Sequence, residues 1–229
     1  MIENETIIRY MTAVLSPVAP ASQLTRFKRA DEWLRSLGNV PLDRILFDPL
    51  PGTATVADVI RLSHQESRGV ELVDGTLVEK TVGLNESVIA SNVIRMLGNY
   101  AQPDRLGLVS GDQGMIGMLM GNVWMPDVAF FRRQDLPDGR LPAEAAPCLV
   151  PALAVEVLSP SNTAEEMRLK LQEYFENGVQ VAWVLDPPPQ TLRVYDAPNR
   201  FRQLTRDDML DGGDVLPGFS VRVGELFDI

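Results

Sequence analysis

Cysteine and histidine are nearly missing from this chain of 229 residues, which has one of each, Cys148 and His64. A single cysteine excludes an internal disulfide framework and any cysteine-rich zinc site. A single histidine excludes a multi-histidine metal cluster and leaves one residue to serve as a Ser–His or Cys–His base. Nothing near His64 looks like a nucleophile elbow, so a His64-based hydrolase is the weakest reading. No apolar run nears the roughly 18 residues that a transmembrane helix needs. Residues 1–10 carry Glu3 and Glu5 and lack the positive stretch and apolar core of a secretory signal. A cytoplasmic protein without membrane association is expected. Positive charge is also scarce, with 21 Lys and Arg against 31 Asp and Glu, a net charge of −10. Such a chain repels nucleic acid at long range, so any nucleic-acid function needs a local basic surface or a metal to offset that field.

What remains is an ordinary globular composition, 45% apolar and 23% charged, which excludes disorder and collagen-like repeats. The first fifty residues read as an extension. Within it, residues 22–37 have helical spacing through Leu24, Phe27, Leu34 and Leu37, stop at Gly38, and carry Arg26, Lys28, Arg29 and Arg35 on a solvated face. Helices are predicted over 55–67, 85–100 and 162–177, the last with Thr163 and Glu166 at capping-box spacing and Gly178 as its stop. A hairpin is predicted over 70–80 around Asp74-Gly75. Two strands are expected within 106–120. Residues 123–131 read as one apolar strand interrupted at Pro126-Asp127. A buried strand is expected at 152–158, further strands at 179–185 and 191–195, and an acidic tail from 207 with a turn at Leu216-Pro217-Gly218-Phe219. The expected fold is mixed α/β, a mixed sheet covered by helices.

Glu156 stands out because every neighbour from Ala152 to Leu158 is apolar. An unpaired carboxylate there would cost at least ~2 kcal/mol. It must meet a cation (a structural arginine among the options), hold a proton, or face a cleft as a metal ligand or acid/base. Asp127 repeats the pattern after Pro126, which cannot donate a ladder hydrogen bond and so marks an edge or bulge that aims the next side chain; capping a turn is its bland alternative. Lys170, fourteen residues after Glu156, reads by itself as an exposed helical lysine paired with Glu166 at i−4. Glu71, in the first strand of the hairpin, says little by itself, because alternation would allow it to face solvent. Together these residues can form one site, because carboxylates hold Mg²⁺ or Mn²⁺ through hard oxygen ligands and a lysine stabilises charge at a phosphoryl group.

The ordered stretches Glu71-Leu72-Val73-Asp74-Gly75, Met125-Pro126-Asp127-Val128-Ala129-Phe130, Leu153-Ala154-Val155-Glu156-Val157-Leu158-Ser159-Pro160-Ser161, Lys170 with Tyr174, Gly178-Val179, Trp183-Val184-Leu185-Asp186-Pro187 and Leu216-Pro217-Gly218-Phe219 resemble the Uma-two family. These are bacterial endonucleases of restriction-endonuclease-like fold. The resemblance covers residues 53 to 225. It implies an N-terminal extension over 1–52, partly helical, and a nuclease domain over 53–229. It implies Asp127 and Glu156 as metal ligands, Glu71 as the upstream acidic member, and the backbone carbonyl of Val157 completing the shell of a Mg²⁺ or Mn²⁺ ion. The superfamily motif is Pro-Asp followed by an acidic residue, one spacer and lysine. Here Leu158 stands where that lysine belongs, and Lys170 on the next helix would supply it. Relatives often carry a histidine where this chain has Asn85 and Glu86, which weakens the expected activity.

The implied reaction is hydrolysis of DNA phosphodiesters by a metal-activated water, in a homodimer. Arg132-Arg133 and the Arg26–Arg35 cluster are the best local basic candidates. The competing reading is a catalytically weak or inactive module of the same fold that binds nucleic acid or assembles as a homodimer.

Overall fold

The computed structural model describes residues 23–66 and 68–228. The expectations for residues 1–10 and for the start of the first helix at Ser22 lie outside the described residues. So do the closing residue of the second helix, Ser67, and Ile229.

Three sheets form the frame. A small sheet has the order β2-β1-β5-β4, built from β1 (Val70–Val73), β2 (Thr76–Glu79), β4 (Ile116–Gly117) and β5 (Val123–Trp124). A six-stranded sheet has the order β10-β9-β8-β7-β6-β3. Its strands are β3 (Gly107–Gly111), β6 (Val128–Arg132), β7 (Leu153–Val157), β8 (Val181–Asp186), β9 (Thr191–Ala197) and β10 (Arg200–Leu204). Strands β11 (Met209–Asp211) and β12 (Ser220–Arg222) pair separately. The helices are α1 (Ala30–Ser36), α2 (Val56–Glu66), α3 (Leu84–Ala101), α4 (Ala164–Glu176) and α5 (Val223–Phe227). Within the large sheet only β7 and β8 run parallel, and α4 is the crossover that parallel neighbours require. The expected mixed α/β sheet flanked by helices is the fold observed.

Strand alternation sorts the large sheet into two faces. Val128, Phe130, Leu153, Val155, Val157, Trp183 and Leu185 pack on one side with α3 and α5. Ala129, Ala154, Ala182 and Val184 pack on the other with Met167, Leu171 and Tyr174 of α4. By the same period Asp127 and Glu156 belong to the α4 side. In the small sheet Val70 and Leu72 face α2, which leaves Glu71 and Val73 toward α4.

The single interrupted strand expected over 123–131 is two strands in two sheets. β5 lies beside β1 and β6 lies beside β7, with Pro126 and Asp127 at the crossing, where proline ends one ladder. The predicted 22–37 helix is shorter: a 3₁₀ turn at Gln23–Arg26 precedes α1. Arg29 and Arg35 pair with Asp31 at the surface, and Arg26 pairs with Asp74. Leu37, Val40 and Ile45 are buried in the α4-side core. The acidic tail is part of the core as well. Leu210, Val221, Val223, Leu226 and Phe227 pack under the large sheet, their spacing masked in the sequence by the charged residues between them.

Candidate active site

Four elements and one crossing bring five charged side chains together. Glu71 comes from the middle of β1, where the Asp74-Gly75 turn fixes the hairpin register with Glu71 opposite Val78. Asp74 and Gly75 both have positive φ, 49° and 68°, the conformation a two-residue hairpin turn demands. Lys80 follows β2. Asp127 follows Pro126 at the passage between sheets. Glu156 lies on β7. Lys170 and Tyr174 project from α4, one helical turn apart. Glu71, Asp127, Glu156 and Lys170 are each only 2–4% exposed.

The contacts are specific. Lys170 Nζ donates to Glu71 Oε1 at 2.7 Å and lies 3.0 Å from Glu156 Oε1. Tyr174 Oη donates to the same Glu156 oxygen at 2.6 Å. Glu71 Oε1 also accepts the Met125 N–H at 3.0 Å. Asp127 Oδ2 accepts the Val157 N–H at 2.6 Å, and its Oδ1 lies 2.8 Å from Lys80 Nζ. Lys80 Nζ donates to the Met125 carbonyl as well. Continued by two residues, the register Val128↔Val155 would set Pro126 against Val157. Pro126 has no N–H to give, and the Val157 N–H is met by a side chain instead.

Lys170 is thus no surface lysine. Its i−4 neighbour Glu166 pairs with Arg44, whose guanidinium donates to both carboxylate oxygens at 3.0 and 2.7 Å. Arg44 also bonds the Glu79 and Ser161 carbonyls at 2.8 and 3.1 Å, so it ties β2, the β7–α4 loop and α4 together. Glu71, likewise, is buried rather than solvent-facing. Helical spacing misled for Lys170 and alternation left Glu71 open, because the small sheet and α4 close over what a lone hairpin or helix would expose.

Charge sets the protonation states. Burial pushes the Glu156 carboxyl up to about 7, opposed first by the attraction of Lys170. Burial by itself would lower the Lys170 ammonium, but Glu156 and Glu71 hold it above the usual lysine range. Burial, then Glu156 and Glu71, raise the Tyr174 phenol, which stays a donor. For Glu166 burial acts upward, yet the Arg44 fork keeps the carboxyl below its ordinary range.

Three carboxylates face two lysines here, so the cluster carries one negative charge in excess when all are ionised. Its donors are oxygens only, which is the chemistry of a hard divalent cation. Among the described residues, no three His, Cys, Asp or Glu side chains are arranged to hold an ion together. In kind these oxygen donors suit such an ion, though not as a three-carboxylate cage of Glu71, Asp127 and Glu156. The pocket inside the cluster holds about 20 Å³ and is also lined by Arg44, Glu86 and Asn162, room for about one small ion or water.

Sequence reasoning brought forward Glu71, Asp127, Glu156 and Lys170, and the structure gathers all four. It did not bring forward Lys80 or Arg44, and it read Glu166 only as the capping partner of Thr163 and a surface partner of Lys170. Tyr174 entered only with the family motif. Of the candidate histidine-replacing pair, Glu86 lines the pocket. Arg132 and Arg133 line a different cavity, of about 520 Å³, that shares no lining residue with this one. Among the described residues, no helix is long and apolar enough to cross a membrane.

Comparison with known proteins agrees with the fold. A crystal structure described as a putative nuclease belonging to DUF820 from Anabaena variabilis ATCC 29413 is 18% identical and superposes with a TM-score of 0.62, covering 69% of this chain and 89% of that one. No curated protein matches this chain. Residues 56–224 match the family described as Uma2, putative restriction endonuclease, and with that match over most of its length the chain belongs to the Uma2 family.

Proposed function

We propose that this chain is a metal-dependent endonuclease that hydrolyses phosphodiester bonds of DNA. The observation that carries the reading is the convergence of Glu71, Asp127, Glu156 and Lys170 in one buried pocket, from elements that are distant in sequence. A buried cluster with more carboxylate than lysine is costly unless a proton on Glu156 or a cation completes it. Asp127, Glu156 and the Val157 carbonyl would hold Mg²⁺ or Mn²⁺, with Glu71 beside them. Such an ion supplies Lewis-acid polarisation of a phosphoryl oxygen and makes water more acidic. Lys170, kept charged by its two carboxylates, offers its ammonium to the charge that builds on the phosphoryl group. Tyr174 orients Glu156, and Arg44 with Glu166 fixes the first turn of α4 so that Lys170 reaches across from a helix to do what the superfamily does from a strand. A homodimer belongs to the same reading by the superfamily resemblance, and a cytoplasmic location by the composition of the chain.

One observation favours a second reading. Each carboxylate already has a lysine or main-chain partner, as in a cluster that only stabilises a binding or assembly module. Cleavage decides between them. Wild type is expected to nick and linearise supercoiled plasmid with Mn²⁺ or Mg²⁺, and Asp127→Ala and Lys170→Ala to lose that activity while staying folded. Equal cleavage by all three would sink the nuclease reading; no cleavage by wild type of plasmid, single-stranded DNA or RNA would favour the module.

A further inference from the structure

The α4 face of the large sheet runs past Glu156 to the β9–β10 hairpin and borders a cleft of about 720 Å³. Glu86, Asn162 and Met167 line both this cleft and the carboxylate pocket, so the two adjoin. The wall farthest from the carboxylates is built from Arg193, Tyr195 and Phe201. Phe201 stands opposite Tyr195 in the β9–β10 register, and Arg193 lies two residues before Tyr195 on the same face. The two rings lie 4.9 Å apart at 39°, and the Arg193 guanidinium sits 5.8 Å from the Phe201 centroid.

Cross-strand ring pairs are ordinary sheet stabilisers. Three features set this one apart. Phe201 is 48% exposed, on an edge strand, and lines the cleft. Arg193 bonds only Gln203, at 3.4 Å, and among the described residues has no carboxylate within ion-pair distance. The chain is acidic, with Glu86 and Asp186 also lining the cleft, and the arginines of the neighbouring β10 are neutralised, Arg200 by Asp196 and Arg202 by Asp211. An exposed ring backed by a second ring, with an unneutralised guanidinium beside it, matches how unpaired bases and their phosphates are held.

We propose that this cleft receives an unpaired nucleotide. Its base stacks on Phe201 against Arg193, a flanking phosphate meets the Arg193 charge, and the strand leads along α4 into the carboxylate pocket. The inference rests on the nuclease reading and narrows its substrate to single-stranded nucleic acid or a duplex with an unpaired stretch. A paired base has both faces covered by its neighbours and reaches Phe201 only after unstacking.

The test is fluorescence anisotropy with a short labelled single-stranded oligonucleotide, in a DNA and an RNA form, and with the matching duplex, in chelator at low salt. Wild type is expected to bind a single strand more tightly than the duplex. Phe201→Ala should weaken single-strand binding about tenfold, Phe201→Trp should keep it, and Arg193→Ala should weaken it and flatten its salt dependence. Unchanged thermal midpoints show that the variants are folded, and Arg193→Ala keeps the test decisive if Phe201→Ala is not. The DNA and RNA arms identify the sugar, and a preference for either meets the proposal. Equal single-strand binding by wild type and the folded variants overturns it, as does tighter binding of the duplex or no single-strand binding at all. Cleavage is scored separately. Phe201-dependent binding with no cleavage of any substrate would sink the nuclease reading and leave the cleft standing, whereas Asp127-dependent cleavage with Phe201-independent binding would do the reverse.

Discussion

Lys170 and Glu156 show how single side chains carry opposite lessons about legibility. A carboxylate in an all-apolar strand announces itself, because no ordinary surface has that pattern, and Asp127 after a proline does the same. Lys170, Lys80 and Arg44 do not, because a cation at a surface and a cation in a cluster have the same sequence neighbours, and only the closing of α4 over the small sheet separates them. The buried acids give two predictions. Glu156 holds its proton to about pH 7 in the folded chain, against an ordinary value of 4.5. Between those values the folded state binds a proton that the unfolded chain has released, so this group's contribution falls as pH rises through that window. In chelator, wild type should lose stability from pH 5 to 8, on the order of 3 kcal/mol from this group, and Glu156→Gln should lose much less. Parallel pH slopes in thermal melts of the two proteins would contradict this. Arg44 and Glu166 form a pair whose side chains are 4% and 6% exposed. Arg44→Met leaves Glu166 buried without its fork and should cost about 3–5 kcal/mol, read as a lower urea midpoint at an unchanged slope. A cost below 1 kcal/mol would mean that the pair is not what anchors α4.

Among elements, α4 does the most to assemble the site. Thr163 Oγ1 accepts the Glu166 N–H at 2.9 Å and Glu166 reaches back to the Thr163 N–H at 3.3 Å, a capping box visible in the sequence. Thr163 Oγ1 also donates to the Gly38 carbonyl. Gly38 lies so close that a Cβ would meet the Glu166 backbone at 2.4–2.6 Å, and its φ is +76°. Thr163→Ala should therefore cost about 1–2 kcal/mol, the upper part of the cap range. Gly38→Ala should cost more than a helix or loop alanine ordinarily does, because both the contact and the conformation oppose it. Equal stability of Gly38→Ala and wild type in denaturant titration would refute the close approach. The three long helices α2, α3 and α4 were read well from periodicity and stops, whereas the helix expected over 22–37 is shorter and α5 was not foreseen. The division of 123–131 between two sheets was not, since a strand that changes sheets keeps its apolar composition while changing its partners. β10 to β12 were missed because short edge strands with alternating charge lack an apolar run.

For the whole molecule, the net charge of −10 sets the terms on which nucleic acid can bind. Few phosphates can be neutralised at once, so the logarithm of single-strand affinity should fall with the logarithm of salt at a slope of about −1 to −2. A slope steeper than about −4 would point to a broad basic surface that the sequence does not contain. Composition and the single histidine only permitted a hard-metal, oxygen-liganded chemistry; the carboxylates and the family resemblance pointed to it. The packing of residues 37–45 against α4 had no sequence signal, because each contact spans more than a hundred residues.

Asp127 and Glu156 either bind a divalent ion or merely balance two lysines. Calorimetric titration of the chelator-treated chain with Mn²⁺ tests this most directly, beside Asp127→Asn and Glu156→Gln. Saturable binding by wild type, weakened tenfold or more in both variants with folding intact, is the predicted result. No binding by wild type, or binding unchanged in the variants, would contradict a metal centre here and leave the cluster as an ion-pair core.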